Sequence, residues 1–277
     1  MVSYPTLGSI VSRCTISSSV LITGYASGLG KELAKQYLAK GFSLLLIDIR
    51  ADVEFQQALQ NEASMQQKVS FLHADICEPS TLKQQLDFAV RKFGQIDVCI
   101  HCAGILVSKP FMHISNDEFQ HVIDVNVIGT RNLVAAVIPH LDNGAQLALV
   151  ASMAGFSGVY GYSAYGASKY AVIGLGKALQ FELKPLGIDV SLICPPTIDT
   201  PMVQTEAKTI HPATRALKNM AGTLDPSDAC RQIIQGLEKR KSLIIPGKQA
   251  KMVYYSQRFL PSSLIHKISE YLVSKSS

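Results

Sequence analysis

Ser19–Lys40 reads SVLITGYASGLGKELAKQYLAK. Ser19 to Thr23 are mostly apolar, β-type residues. They run directly into GYASGLG, and apolar side chains then recur at helical spacing through Leu29, Leu33, Tyr37 and Leu38 until Gly41 stops the pattern. The order is strand, glycine turn, helix. In that order glycines let a pyrophosphate approach the backbone at a helix N-terminus, where unpaired N–H groups and the helix dipole favour an anion. Gly24, Gly28 and Gly30 carry the spacing. The next apolar run, SLLLIDI from Ser43 to Ile49, closes on Asp48, about twenty residues after the glycines. An acid at that strand end is placed to read the adenosine ribose of a dinucleotide.

The rest of the chain repeats the alternation. Helical spacing covers Asp52 to Met65, VSFLHAD ends a third strand at Asp75, and Pro79 to Phe93 form the next helix. IDVCIHCAG (Ile96 to Gly104) is a fourth strand running into a turn. Asn116 to Leu141 reads as one long amphipathic helix, with Ser115 or Asn116 as its cap and Glu118 in its first turn. AQLALVAS is the fifth strand. A helix from Ser163 to Leu186 ends at Gly187, and IDVSLIC (Ile188 to Cys194) is the sixth strand. Continuous apolar strands alternating with helices predict a doubly wound parallel α/β sheet, Rossmann-type, with helices on both faces. Right-handed crossovers bring every strand's C-terminal end to one edge. The glycine turn, Asp48, Asp75, the HCAG turn, Ser152 and Pro195 therefore converge where such sheets bind ligands.

Ser152–Lys169, SMAGFSGVYGYSAYGASK, carries the chemistry that this edge has room for. Tyr165 and Lys169 share one helix face at i and i+4. A positioned ammonium favours the phenolate, and lowering a phenol by about three units takes roughly 4 kcal/mol, which a partly desolvated cation can supply. Ser152, at a strand end facing that helix, is placed to hold a substrate oxygen beside the tyrosine. Taken alone, the Tyr–Lys pair reads more readily as two surface neighbours, and the rest of the chain has to reverse that reading.

With 277 residues the chain suffices for one large α/β domain. It is 47% hydrophobic and 17% charged, and no apolar run reads as long enough to cross a bilayer. Residues 1–17 lack the pattern of a signal peptide and read as an N-terminal extension. The six cysteines, Cys14, Cys77, Cys99, Cys102, Cys194 and Cys230, are scattered and read as reduced thiols, with no metal site; a cytoplasmic location follows. The net charge of +5 does not call for nucleic acid. From Lys248 onward five basic residues face one acid, Glu270, so most of the excess sits in the tail, 248–277.

Together these residues resemble the short-chain dehydrogenase/reductase family in its non-extended branch. TGYASGLG is similar to the family's TGxxxGxG, HCAG to its NNAG with His101 and Cys102 in place of asparagines, and NVIG to the motif carrying an asparagine on the long helix. The match runs from about Ser18 to Gly247, the expected catalytic domain (18–247). PPTIDTP, the later PGK and YSAYGASKYAVIGLGKALQFELKP are more loosely similar to 3-ketodihydrosphingosine reductase-like members. The resemblance implies Tyr165 as general acid/base, Lys169 lowering its pKa and holding the nicotinamide ribose, Ser152 orienting the substrate oxygen, and Asn126 holding a water. It implies a cofactor site of Thr23, Gly24, Ser27, Gly28, Leu29, Gly30, Asp48, Asp75, Ile76, Cys102, Ala103, Gly104, Tyr165, Lys169, Pro195, Ile198 and Thr200.

The expected function is hydride transfer between a nicotinamide cofactor and a secondary alcohol or ketone. A catalytically silent dinucleotide-binding regulator is the alternative, although a binding module needs neither Tyr165 nor Lys169. Asp48 favours NAD(H) by repelling a 2′-phosphate, while Arg50 keeps NADP(H) in play. Thr200 to Gly222, with Met202, Ile210, Leu217, Met220 and few acids, predicts an apolar substrate pocket, such as a 3-ketosphinganine-like lipid would need. The two long helices are expected to form a homodimer or homotetramer interface. In the tail, Met252, Tyr255, Phe259 and Leu260, then Leu264, Ile265, Ile268 and Leu272, mark two amphipathic pieces divided by Pro261. They suit packing on the domain and contact with a membrane surface equally.

Overall fold

The computed structural model describes residues 18–276; the extension 1–17, with Cys14, lies outside them. In chain order the first half contains β1 (Ser19–Thr23), α1 (Gly28–Ala39), β2 (Ser43–Asp48), α2 (Val53–Glu62), β3 (Val69–His73), α3 (Pro79–Phe93), β4 (Ile96–His101), α4 (Asn116–Ile123) and α5 (Thr130–Val137). The second contains β5 (Leu141–Val150), α6 (Ser163–Glu182), β6 (Asp189–Ile193), β7 (Thr197–Ile198), α7 (Pro201–Ala207), α8 (Pro212–Asn219), β8 (Thr223–Leu224), α9 (Pro226–Glu238), β9 (Leu243–Ile244), α10 (Lys248–Phe259) and α11 (Ser262–Ser274).

The main sheet has the order β3-β2-β1-β4-β5-β6-β9, and every neighbouring pair is parallel. Side chains along a strand alternate between faces. Val20 and Ile22 of β1 pack with Leu44, Leu46 and Ile100 beneath α1, α2 and α9, while Leu21 packs with Leu45, Ile47 and Leu147 beneath α3, α5 and α6. Both faces are apolar because both are covered. The chain leaves β1 in one direction for β2 and β3, then returns to its other side for β4. The strand order reverses between β1 and β4, and this switch point opens a crevice at the strand ends.

The stretch from Asn116 to Leu141 is not one regular helix. The capping box forms at Ser115, whose Oγ accepts from Glu118 N at 3.1 Å while Glu118 Oε2 accepts from Ser115 N at 3.0 Å. A π-helical turn, Asp124–Gly129, then separates α4 from α5. Gly129 lies against Ile76, so close that a Cβ there would meet Ile76 Cδ1 at 2.7 Å. A short 3-10 turn, Ile138–His140, leads into β5 at Leu141. By length and composition alone Asn116–His140 is apolar enough to span a bilayer, contrary to expectation, but half of its most apolar window is buried against the domain. Similarly, α6 ends at Glu182 and a 3-10 turn, Lys184–Leu186, finishes at Gly187 with φ +72°. The expected helix from Asp52 is shorter at both ends: Asp52 is its cap, accepting from Phe55 N at 3.1 Å, and it stops at Glu62. β7, β8 and β9 were not expected at all.

Candidate active site

Two glycines close the first turn on itself. Gly24 has φ +73°, and a Cβ there would stand 2.8 Å from Ala103 N; at Gly30 a Cβ would stand 2.3 Å from the Gly24 carbonyl oxygen. At Gly28, φ +54°, a Cβ would stand 3.4 Å from the Thr200 side chain across the crevice. Asp48 is buried at the end of β2. Its Oδ2 accepts from Ala26 N at 3.0 Å and its Oδ1 from Arg50 N at 2.9 Å, so one carboxylate ties the glycine turn to the next strand. Arg50 Nη2 reaches Ser27 Oγ at 3.3 Å. Asp75 Oδ1 accepts from Cys77 N at 2.8 Å, and Asn132 Nδ2 donates to the Ile76 carbonyl at 3.0 Å, which fixes the turn after β3.

Thr23 ends β1 wholly buried, and its Oγ1 accepts from Cys102 N at 3.1 Å and Ala103 N at 3.2 Å. The side chain thus pins the turn after β4 against the glycine turn. Asn126 sits in the π-helical turn, 1% exposed. Its Oδ1 accepts from Ile105 N at 2.8 Å; its Nδ2 donates to Ile105 O at 2.9 Å and Ser168 Oγ at 3.0 Å. Two of these bonds clamp the chain just past Gly104 and the third ties the amide to α6, where the resemblance implied a water-holding role.

Tyr165 and Lys169 lie on α6, and Ser152 follows β5. Lys169 is 6% exposed; its Nζ donates to Val150 O at 3.0 Å and lies 5.5 Å from the Tyr165 ring centroid. Burial pulls the ammonium down to about 8. Burial also pushes the Tyr165 phenol up to about 12, opposed by a hydrogen bond from Ser152. Burial works against the depression of this phenol expected from Lys169: desolvation of the phenolate outweighs the Ser152 hydrogen bond, and the same burial lowers the lysine's own pKa.

All the expected cofactor residues, with Ser152, line one cavity of about 2120 Å³; Asn126 stands behind its wall. Pro195, Ile198 and Thr200 border it after β6, and Met202, Leu217 and Met220 of the α7–α8 segment continue it; Ile210 is not among its walls. Sequence reasoning missed a polar group in this segment. Tyr162 OH donates to Glu206 Oε1 at 2.6 Å, Lys218 pairs with Glu206 Oε2, and the Tyr162 ring meets that of Tyr165 edge to face at 5.2 Å. Glu206 is 7% exposed. The far wall belongs to the tail: Met252, Val253, Leu260, Ile265 and Ile268 of α10 and α11 border the cavity. Ala250 is buried, Tyr254 packs on Phe156 at 4.8 Å, and Gln249 Nε2 donates to the Asn219 and Met220 carbonyls. The inner faces of the tail therefore pack on the domain. The five described cysteines are free thiols, and among the described residues no three His, Cys, Asp or Glu side chains converge as a metal site.

A strand-end crevice with a closed glycine turn, an acid after β2 and a Ser–Tyr–Lys set beside it defines a dinucleotide-binding oxidoreductase. The comparisons agree. A family model for short chain dehydrogenases matches residues 18–211. The chain is 30% identical over 225 residues to a 3-dehydrosphinganine reductase of Danio rerio, covering 78% of this chain and 67% of that one. It is 34% identical over 200 residues to a 3-hydroxyacyl-CoA dehydrogenase type-2 of Bos taurus, covering 67% and 75%. The fold matches a short chain dehydrogenase from Mycobacterium paratuberculosis bound to NAD, with TM-score 0.76, 24% identity and coverage of 88% and 99%. The protein belongs to the short-chain dehydrogenase family and is a nicotinamide-dependent oxidoreductase acting on hydroxyl or keto groups of small molecules.

Proposed function

We propose that this protein interconverts a ketone and a secondary alcohol on a long apolar substrate, with NAD(H) the favoured hydride carrier. One observation carries the reading. The Tyr165 phenol, faced by Ser152, lines the same cavity as the expected dinucleotide residues and as Met202, Leu217, Met220 and the tail helices. At about 2120 Å³ the cavity exceeds the roughly 300–1,000 Å³ of a drug-sized pocket, which suits a dinucleotide and a chain-like substrate together. The names of two relatives, a 3-dehydrosphinganine reductase and a 3-hydroxyacyl-CoA dehydrogenase, support the lipid-like class.

The glycine turn, Asp48, Asp75, Ile76 and the 102–104 turn would hold the dinucleotide, with Pro195, Ile198 and Thr200 at its nicotinamide end. The bound nicotinamide supplies or takes the hydride. In reduction Tyr165 gives its proton to the carbonyl oxygen as the carbon gains hydride, and Ser152 orients that oxygen; oxidation reverses both transfers. Lys169, beside Gly104 and still mostly an ammonium at neutral pH, holds the ribose end and exchanges protons there. Asp48 keeps a lone pair on each oxygen for ribose hydroxyls and repels a 2′-phosphate, which favours NAD(H); Arg50 works against that preference.

The outer face of the tail bears Tyr255 and Phe259, stacked at 6.3 Å and largely exposed, with Lys248, Lys251, Arg258 and Lys267 also exposed. That combination fits the surface of an anionic bilayer, so the cytoplasmic protein meets its substrate at a membrane. Ile128, Tyr170 and Phe181, exposed on the π-helical turn and α6, fit contact with a second copy.

The test is nicotinamide absorbance with ketones of increasing chain length. The proposal expects kcat/KM to rise with chain length; equal or better turnover of short polar ketones would defeat it. In flotation with anionic vesicles the full chain should float and a Tyr255→Ser, Phe259→Ser double variant should not. Failure of the unaltered protein to float would remove the membrane contact.

A further inference from the structure

His101 stands where the family's turn has asparagine, and its surroundings dictate one proton arrangement. The ring is 2% exposed, with Nδ1 2.7 Å from Thr23 Oγ1 and Nε2 2.9 Å from Thr130 Oγ1. Thr130 Oγ1 also lies 2.6 Å from the Asn126 carbonyl oxygen. Two oxygens that close need the hydroxyl proton between them, so Thr130 donates to Asn126 O. Its oxygen then accepts from His101, and Nε2 carries the proton. In a neutral ring Nδ1 is bare and accepts from the Thr23 hydroxyl. That leaves the two lone pairs of Thr23 Oγ1 for the backbone N–H groups of Cys102 and Ala103, which are already within reach. Every donor and acceptor in the group is satisfied, and no other tautomer does this. Burial, with the Lys169 charge as a smaller cause, holds the imidazolium down to about 3, in keeping with a ring that stays neutral.

The chain of bonds continues beyond Asn126. Its Nδ2 donates to Ser168 Oγ at 3.0 Å, and Ser168 Oγ donates to the Tyr165 carbonyl at 2.7 Å. Two runs of bonds therefore meet at Asn126, one from Thr23 through His101 and Thr130 to its backbone carbonyl and one from its side-chain amide through Ser168 to the Tyr165 carbonyl; within each run the protons point one way and the bonds polarise one another. The π-helical turn carries Asn126, and Thr130 follows it as the first residue of α5.

We infer that His101 is a positioning residue: as its Nε2–H tautomer it joins the glycine turn to the helix carrying Tyr165 and Lys169. Seating of the dinucleotide at the turn and the placement of the tyrosine are thereby coupled. An asparagine carries both polar atoms on Cγ, at the depth of the ring's Nδ1, so it can meet Thr23 but lacks the reach of Nε2 to Thr130. A protonated imidazole would donate at both ends and leave the Thr23 proton without an acceptor. The inference rests on Tyr165 as the proton donor only for its kinetic consequence; the tautomer can be read without turnover.

The test begins with the unaltered full chain labelled with 15N-histidine. Among the seven histidines, two-bond 1H–15N correlation should show one ring that stays neutral in the Nε2–H form from pH 8 down to the limit of folding, and Thr130→Val should shift that signal. A doubly protonated ring, or an Nδ1–H tautomer for His101, would overturn the assignment. In kinetics His101→Asn and Thr130→Val should each raise KM for the dinucleotide and lower kcat, with kcat/KM falling about tenfold. The double variant should be no worse than the worse single one, since both cut the same chain. A double loss equal to the product of the single losses would refute the coupling. If the enzyme proved catalytically silent, the tautomer result would still stand.

Discussion

Replacing Lys169 with methionine is expected to stabilise the cofactor-free protein while removing its activity. Lys169 is 6% exposed, its Nζ has the Val150 carbonyl at 3.0 Å, and it has no salt-bridge partner among the described residues. Burial moves its pKa from 10.5 to about 8. The difference of about 2.5 (10.5 − 8) corresponds to roughly 3 kcal/mol spent keeping the folded ammonium charged at neutral pH. Methionine fills similar space without charge, and leaving the Val150 oxygen one donor short costs about 1 kcal/mol. The net gain is about 2 kcal/mol, or about 4–8 °C in Tm for a chain of this size. The sign reverses with pH in a defined way. Between about pH 8 and 10.5 the folded lysine has lost a proton that the unfolded one keeps, so wild-type stability rises through this window. The advantage of the variant should shrink over the same range. Calorimetry at pH 7 and at steps up to the upper end of that window measures both effects. A lower Tm for the variant at pH 7, or a difference that does not change with pH, would refute the reasoning.

Other perturbations test other parts of the site. Gly30→Ala places a Cβ 2.3 Å from the Gly24 oxygen, so the turn must open; titration calorimetry should show dinucleotide affinity lowered at least about tenfold. Lys218→Met leaves Glu206 buried without its cation and should cost about 3 kcal/mol, read as a lower denaturation midpoint that Lys218→Arg largely restores. Asp48→Ala should weaken NAD(H) binding and narrow its preference over NADP(H), as measured by the two dissociation constants.

The glycine turn and the sheet around it were legible because their cause is local. Apolar runs, glycines and caps are written in consecutive residues, and parallel topology then brings their ends together. The π-helical turn was not legible, because Ile76 against Gly129 and the Thr130 hydroxyl on the Asn126 carbonyl are contacts made by the fold. A scarcity of acids between Thr200 and Gly222 predicted an apolar pocket, yet the segment's one glutamate, Glu206, is turned inward by Tyr162, which lies 44 positions away. Spacing placed Tyr165 and Lys169 on one face of a helix but said nothing about their burial. Burial is what decides their titration, and it moves the phenol opposite to the direction read from the pair. The tail gave two readings because α10 has two faces: one packs on the domain while Tyr255 and Phe259 remain outside.

Tyr165→Phe tests the central claim most directly. The phenyl ring keeps the edge-to-face contact with Tyr162 and removes only the hydroxyl. Turnover of a long-chain ketone should fall by at least about a hundredfold, the low end of what a general acid contributes. Dinucleotide binding, followed by fluorescence titration, should stay within about twofold of the unaltered protein, since the glycine turn and Asp48 are untouched. A variant that binds dinucleotide and still turns over the ketone at the original rate would contradict the account.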